Sequence, residues 1–190
     1  MKIGIYSGSF DPIHVGHLLL ANYIVEFTDI DELWLMVTPQ NPLKEDAHLL
    51  SEEHRLQMVK LAVTDYPKLK ASDYEFSLTR PSYTENTLNQ LAKDYPQHEF
   101  TLVIGGDNWM VFDQWRNYQN ILANYRIMVY PRIGFDIYPP QNENVIILYP
   151  PTTDVSSTYI RQGVSDGKDM RPLLSSAVNE YVLENKLYEK

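Results

Sequence analysis

The stretch Lys2-Ile-Gly-Ile-Tyr6, running straight into Ser7-Gly-Ser-Phe-Asp-Pro-Ile-His-Val-Gly-His17, decides how the rest of this chain is read. Its opening is a short β-type run. Val15–Phe27 then predicts a helix, with Leu18, Ala21 and Val25 on one face and Leu19, Leu20 and Ile24 widening it. A strand, a glycine-bearing turn and a helix N-terminus together make a cradle of backbone N–H groups at the positive helix end, suited to an anion. Gly8 lets the backbone approach a ligand closely. His14 and His17, three apart, can face the same way on the first turn and donate hydrogen bonds to a phosphate, adding charge if protonated. Capping and packing is the plainer role open to the same pair.

Outward from this segment the pattern alternates. Leu33–Val37, Phe100–Ile104, Ile127–Tyr130 and Val145–Tyr149 read as strands. Between and after them come helical runs: one capped by Ser51 with Leu56, Val59 and Val63 as its buried stripe, and one opened by Ser82 and Glu85 at capping-box spacing and continued by Leu88, Leu91 and Ala92. A last helix is predicted over Leu173–Leu187, with Pro172 near its start. Thr38–Leu50 reads as a loop. Such alternation argues for an α/β layer fold, and Gly105 and Asp107 follow a strand end, where ligands of doubly wound sheets gather.

The chain has 190 residues, the size of one domain over 1–190. Lys and Arg total 16 against 25 Asp and Glu, a net charge of −9, which disfavours nucleic acid and anionic membranes as partners. Cysteine is absent, which excludes disulfide scaffolds, iron–sulfur clusters and thiol nucleophiles. With no signal-peptide pattern and no run near the ~18 apolar residues of a membrane span, a cytoplasmic protein is expected. Neither G-x-G-x-x-G in the first loop nor G-x-x-x-x-G-K-[ST] occurs, so Walker-type chemistry is disfavoured. Nothing near the histidines is spaced as a further metal ligand, so no protein metal site is expected. His48, His54 and His98 fall outside every motif, and the sequence says nothing of oligomeric state.

Gly8-Ser-Phe-Asp-Pro-Ile-His-Val-Gly-His17 resembles the first signature of the nucleotidylyltransferase superfamily in its H-x-G-H form, and Val155-Ser-Ser-Thr-Tyr-Ile-Arg161 resembles its C-terminal I-S-S-T-x-I-R signature. Within it, Pro81-Ser-Tyr-Thr-Glu-Asn-Thr-Leu88 and Ile104-Gly-Gly-Asp-Asn-Trp-Met-Val-Phe-Asp-Gln-Trp115 are similar to the bacterial nicotinate-nucleotide adenylyltransferase family. The resemblance covers nearly the whole chain. It implies a Rossmann-like nucleotidylyltransferase fold, a mostly parallel central sheet with helices on both faces. It also implies ATP and nicotinate mononucleotide as substrates, with Mg²⁺ assisting.

By that resemblance His14 and His17 bind the ATP phosphates and stabilise the transferring group. Ser9 and the Gly8–Phe10 backbone line the shared phosphate site. Ser156, Ser157 and Thr158 open a helix that holds the outer phosphates, with Arg161 adding charge; an ordinary N-cap series is their plainer reading. Gly105 and Asp107 serve the ATP side, Asp107 accepting from ribose hydroxyls. Trp115 stacks on the pyridine ring, where the plain alternative is a core aromatic. Tyr83 and the Thr84 amide read the nicotinate carboxylate, and Lys44 is the cation for substrate phosphates. Two departures stand out: Pro42-Leu43-Lys44 lacks the family's usual histidine in a loop that reads shorter, and Ser7 replaces a glycine.

Overall fold

The computed structural model describes residues 1–39, 49–135, 137 and 142–189. Six strands form one sheet: β1 (Lys2–Gly8), β2 (Glu32–Val37), β3 (Leu69–Ser72), β4 (Glu99–Gly105), β5 (Arg126–Tyr130) and β6 (Val145–Ile147), in the order β3-β2-β1-β4-β5-β6. Each pairing among them is parallel, with Tyr6 opposite Leu35 on one side and Val103 on the other. The order reverses between β1 and β4, and that switch point opens a crevice at the carboxyl ends of both strands.

Alternating strand residues feed two cores, as a sheet covered on both faces requires. Tyr6, Leu33, Leu35 and Val37 pack with Leu20 and Ile24 of α1 (Val15–Phe27), Leu56 and Val59 of α2 (Glu52–Val63), Ile160 of α6 (Ser157–Ser165) and Val178 of α7 (Ser176–Glu184). Ile3, Ile5, Leu102 and Ile104 pack with Leu88 and Leu91 of α3 (Thr84–Asp94) and Ile121 of α5 (Tyr118–Asn124); the one-turn α4 (Gly106–Trp109) follows β4 directly. Among the described residues no helix is long and apolar enough to cross a membrane.

Two local expectations need correction. The helix foreseen over Leu173–Leu187 is divided: a 3-10 turn at Arg171–Leu173 ends in extended backbone at Leu174, and Ser175 caps α7 by accepting from the Val178 N–H. Nor do Ser82 and Glu85 form a capping box. The N-cap of α3 is Tyr83, with no side-chain cap bond, and the Ser82 hydroxyl donates to the buried Glu75 carboxylate at 3.3 Å.

Candidate active site

A cleft of about 850 Å³ opens over the carboxyl ends of β1 and β4. It is lined by Gly8, Ser9, Phe10, His14, His17, Tyr83, Thr84, Gly105, Asp107, Trp115, Ser156, Ser157, Thr158 and Arg161, so every foreseen site residue within the described chain reaches one space. Lys44, with the Pro42-Leu43-Lys44 departure, lies outside the described residues.

The turn after β1 is shaped by Phe10, whose backbone takes φ +48°, an uncommon conformation for a non-glycine residue. Burial holds it there. The ring is 1% exposed and packs edge-on against Tyr6 at 5.5 Å and His17 at 5.1 Å, so Phe10 offers the cleft its backbone.

The histidines turn out to cap and to face the cleft at once. His14 is the N-cap of α1; its Nδ1 accepts from the Gly16 N–H at 3.1 Å, and His17 Nδ1 accepts from the His14 N–H at 3.2 Å. Accepting at Nδ1 leaves Nε2 as the protonated nitrogen of each neutral ring. The rings lie 3.8 Å apart, and Gly16 permits this: a Cβ there would stand 3.0 Å from the His14 ring and from Thr153 Cγ2.

Charge on the pair is opposed. Burial, aided by the Arg132 cation, lowers the His14 pKa to about 4. Burial, His14 and Arg132 together hold His17 well below the usual imidazole range. Near neutral pH the pair therefore presents two neutral Nε2–H donors. In ring-nitrogen NMR of the free protein, both histidines should keep the Nε2–H pattern from pH 7.5 to 5.5, with His14 titrating near pH 4. Because an unfolded imidazole takes its proton near pH 6.5, this part of the folding stability is full above ~6.5 and is lost as pH falls to about 4. A ring transition near 6.5 would contradict the assignment.

The second motif closes the cleft from the other side. Ser156 caps α6 by accepting from the Tyr159 N–H at 3.2 Å, as an ordinary N-cap would. Ser157 Oγ donates to the Pro12 carbonyl at 2.9 Å, and Arg161 donates to the Asp11 carbonyl at 2.7 Å and to Thr158 Oγ1 at 3.3 Å. The two motifs are thereby pinned together, and the N–H groups of Ser157 and Thr158, without intrahelical acceptors, remain at the helix start. The Asp11 side chain, 1% exposed, accepts from the Tyr188 hydroxyl at 2.7 Å, so the C-terminal segment supports the first motif from below.

Three arginines were not singled out in the sequence. Arg132 follows β5 and stands 3.3 Å from Asp107 Oδ1, an oxygen with no hydrogen-bond partner. Arg116 covers the Tyr83 ring at 4.9 Å. Arg55 of α2 is 1% exposed and donates to four carbonyls: Leu50 at 3.0 Å, Ser9 at 2.9 Å, Thr38 at 2.8 Å and Pro39 at 3.1 Å. An arginine after a strand reads as an ordinary surface cation, and one on a helix as a solvated face. Only the fold turns Arg132 and Arg116 toward the cleft and Arg55 beneath it. Trp115 is half-buried, 5.4 Å from Phe112, with its indole N–H shielded from solvent and without an acceptor. It thus touches both core and cleft.

Among the described residues no group of three or more His, Cys, Asp or Glu side chains could hold a metal ion. The chemistry available is that of backbone and imidazole N–H donors and guanidinium cations arranged around a space for anions.

Residues 5–163 match the family described as cytidylyltransferase-like. The chain is 50% identical over 184 residues to a probable nicotinate-nucleotide adenylyltransferase of Bacteroides fragilis, covering 96% of this chain and 92% of that one. To a protein of the same name from Flavobacterium johnsoniae it is 47% identical, with 100% of both chains covered. Among solved structures, nicotinic acid mononucleotide adenylyltransferase of Plasmodium falciparum complexed with NaAD superposes with a TM-score of 0.81 at 19% identity, over 98% of this chain and 97% of that one, which is a likeness of fold.

Proposed function

The chain belongs to the nicotinate-nucleotide adenylyltransferases within the cytidylyltransferase-like family, and from that membership we propose how its cleft carries out their reaction. The enzyme transfers the adenylyl group of ATP to nicotinate mononucleotide, giving deamido-NAD and pyrophosphate, a step of NAD biosynthesis. A phosphate oxygen of the mononucleotide attacks the α-phosphorus of ATP in line, and the bond to the β-phosphate oxygen breaks as pyrophosphate departs. Both reactants are anions. The task is therefore positioning and charge stabilisation, and no side-chain nucleophile is needed.

The observation that carries the assignment is the pinning of the two motifs through Ser157–Pro12 and Arg161–Asp11. It aims the starts of α1 and α6 and both imidazoles at one space. His14 and His17 donate from Nε2 to the phosphates around the α-phosphorus. Gly8, Ser9 and the Phe10 backbone line the shared phosphate site. The first turn of α6, from Ser156, Ser157 and Thr158, and the Arg161 guanidinium take the departing pyrophosphate. Asp107, beside Gly105 in the cleft wall and 3.3 Å from Arg132, accepts from ATP ribose hydroxyls. Lys44 supplies a cation to the substrate phosphates. Mg²⁺ comes as part of the substrate, on the ATP phosphates and water; pyrophosphate release that survives excess chelator would remove it from the scheme.

The acceptor side rests on α3. Because its N-cap makes no side-chain bond, its first N–H groups are left for an anion at the positive helix end, where Tyr83 and Thr84 face the cleft. That suits the nicotinate carboxylate, with Trp115 stacked on the pyridine ring. Trp115→Ala is expected to raise the KM for nicotinate mononucleotide roughly tenfold, the scale of one aromatic stacking contact, and to leave the KM for ATP within about twofold. The reverse pattern would move Trp115 out of the acceptor pocket.

A further inference from the structure

The two walls that would enclose the pyridine nucleotide come from distant parts of the chain, the start of α3 and the turn between β4 and α5. Glu85 joins them. It is the residue after Thr84, it is 9% exposed, and both its oxygens are used across the gap: Oε2 accepts from Asn117 Nδ2 at 2.7 Å and Oε1 from Asn120 Nδ2 at 2.8 Å. Asn117 is two residues past Trp115. Its backbone is left-handed, φ +52°, and its amide makes no cap bond to α5 although it occupies the N-cap position. The amide goes to Glu85 instead. Arg116, between Trp115 and Asn117, meets the other wall again by covering the Tyr83 ring at 4.9 Å, and further along the same helices Tyr125 donates to Asn89 at 2.8 Å.

We propose that Glu85 is a positioning residue for the acceptor pocket, a carboxylate staple that fixes Trp115 against the Tyr83–Thr84 helix start and so sets the fit for the pyridine nucleotide. This rests on the reading of the acceptor side given above. A carboxylate suits the task because both bridging partners are donors, and only two acceptor oxygens satisfy them together. Glutamine has nearly the same shape but turns an NH2 group toward one of the two amides. One bond is lost, and a buried donor faces a donor.

Glu85→Gln is expected to raise the KM for nicotinate mononucleotide about tenfold, in keeping with the loss of one charge-assisted hydrogen bond, with kcat and the KM for ATP within about twofold of wild type. Asn120→Ala, which removes one donor and keeps the carboxylate, should move the same constant in the same direction. Combining Glu85→Gln with Asn120→Asp restores a donor–acceptor pair and should recover most of the loss. A merely structural role would lower the active fraction without this KM split or rescue. An unchanged KM in both single variants, or equal rises for both substrates, would overturn the staple. If wild type itself shows no preference for nicotinate mononucleotide, the acceptor reading fails before the staple is tested.

Discussion

His17→Ala is expected to lower kcat by about 100-fold to 1,000-fold, the usual loss when one preorganised donor to developing oxyanion charge is removed. The donor is Nε2–H, because Nδ1 is already accepting from the His14 backbone at 3.2 Å. Neutrality of the ring in the free protein makes this a matter of placement. A donor fixed by its own helix cap needs no reorganisation when charge moves toward the departing pyrophosphate. The same substitution removes a capping acceptor, so a stability loss of about 1 kcal/mol is expected as well, a shift of a few degrees in Tm. The fold should persist by circular dichroism. A folded His17→Ala protein that turns over near the wild-type rate would remove the imidazole from the reaction.

The second large effect is on stability. Arg55→Met should destabilise the protein by about 3–5 kcal/mol, because it leaves the four carbonyls that the guanidinium serves without their donor. The Arg55 guanidinium satisfies carbonyls at Ser9, after β1; at Thr38 and Pro39, after β2; and at Leu50, just before α2. The Pro39 and Leu50 carbonyls stand on either side of the segment that carries Lys44. Without the arginine these acceptors are left buried and unpaired. Arg55→Lys keeps the charge but lacks the planar fork, so it should fall between wild type and Arg55→Met. A denaturant midpoint for Arg55→Met corresponding to less than about 1 kcal/mol of lost stability would mean that the segments hold their places without it.

The sequence made the architecture legible where hydrophobic runs were long. β1, β2, β4 and β5 sit in the doubly covered centre of the sheet and read as continuous apolar stretches. β3, Leu69-Lys-Ala-Ser72, was missed: it is a four-residue edge strand with a lysine in the middle, too short for any period to show. The spacing of Ser82 and Glu85 was that of a capping box, yet Glu75 and the asparagines of α5 draw those side chains away. That competition exists only once the 3-10 turn Tyr74–Ser77 and the start of α5 are packed against the start of α3. The phosphate side was legible because both motifs are local, a turn followed by a helix start. Arg55, Arg132 and the Glu85 contacts were not, since each gains its meaning from residues distant in the chain.

The central claim is that this cleft joins ATP to a nucleotide chosen by its pyridine carboxylate. The most direct test is pyrophosphate release with ATP and Mg²⁺, offering nicotinate mononucleotide, nicotinamide mononucleotide and phosphopantetheine in parallel. A large preference for nicotinate mononucleotide, seen in kcat/KM, is expected. Equal or greater use of either other acceptor would contradict the carboxylate reading at α3, and ATP binding without release from any of them would make the protein a nucleotide sensor.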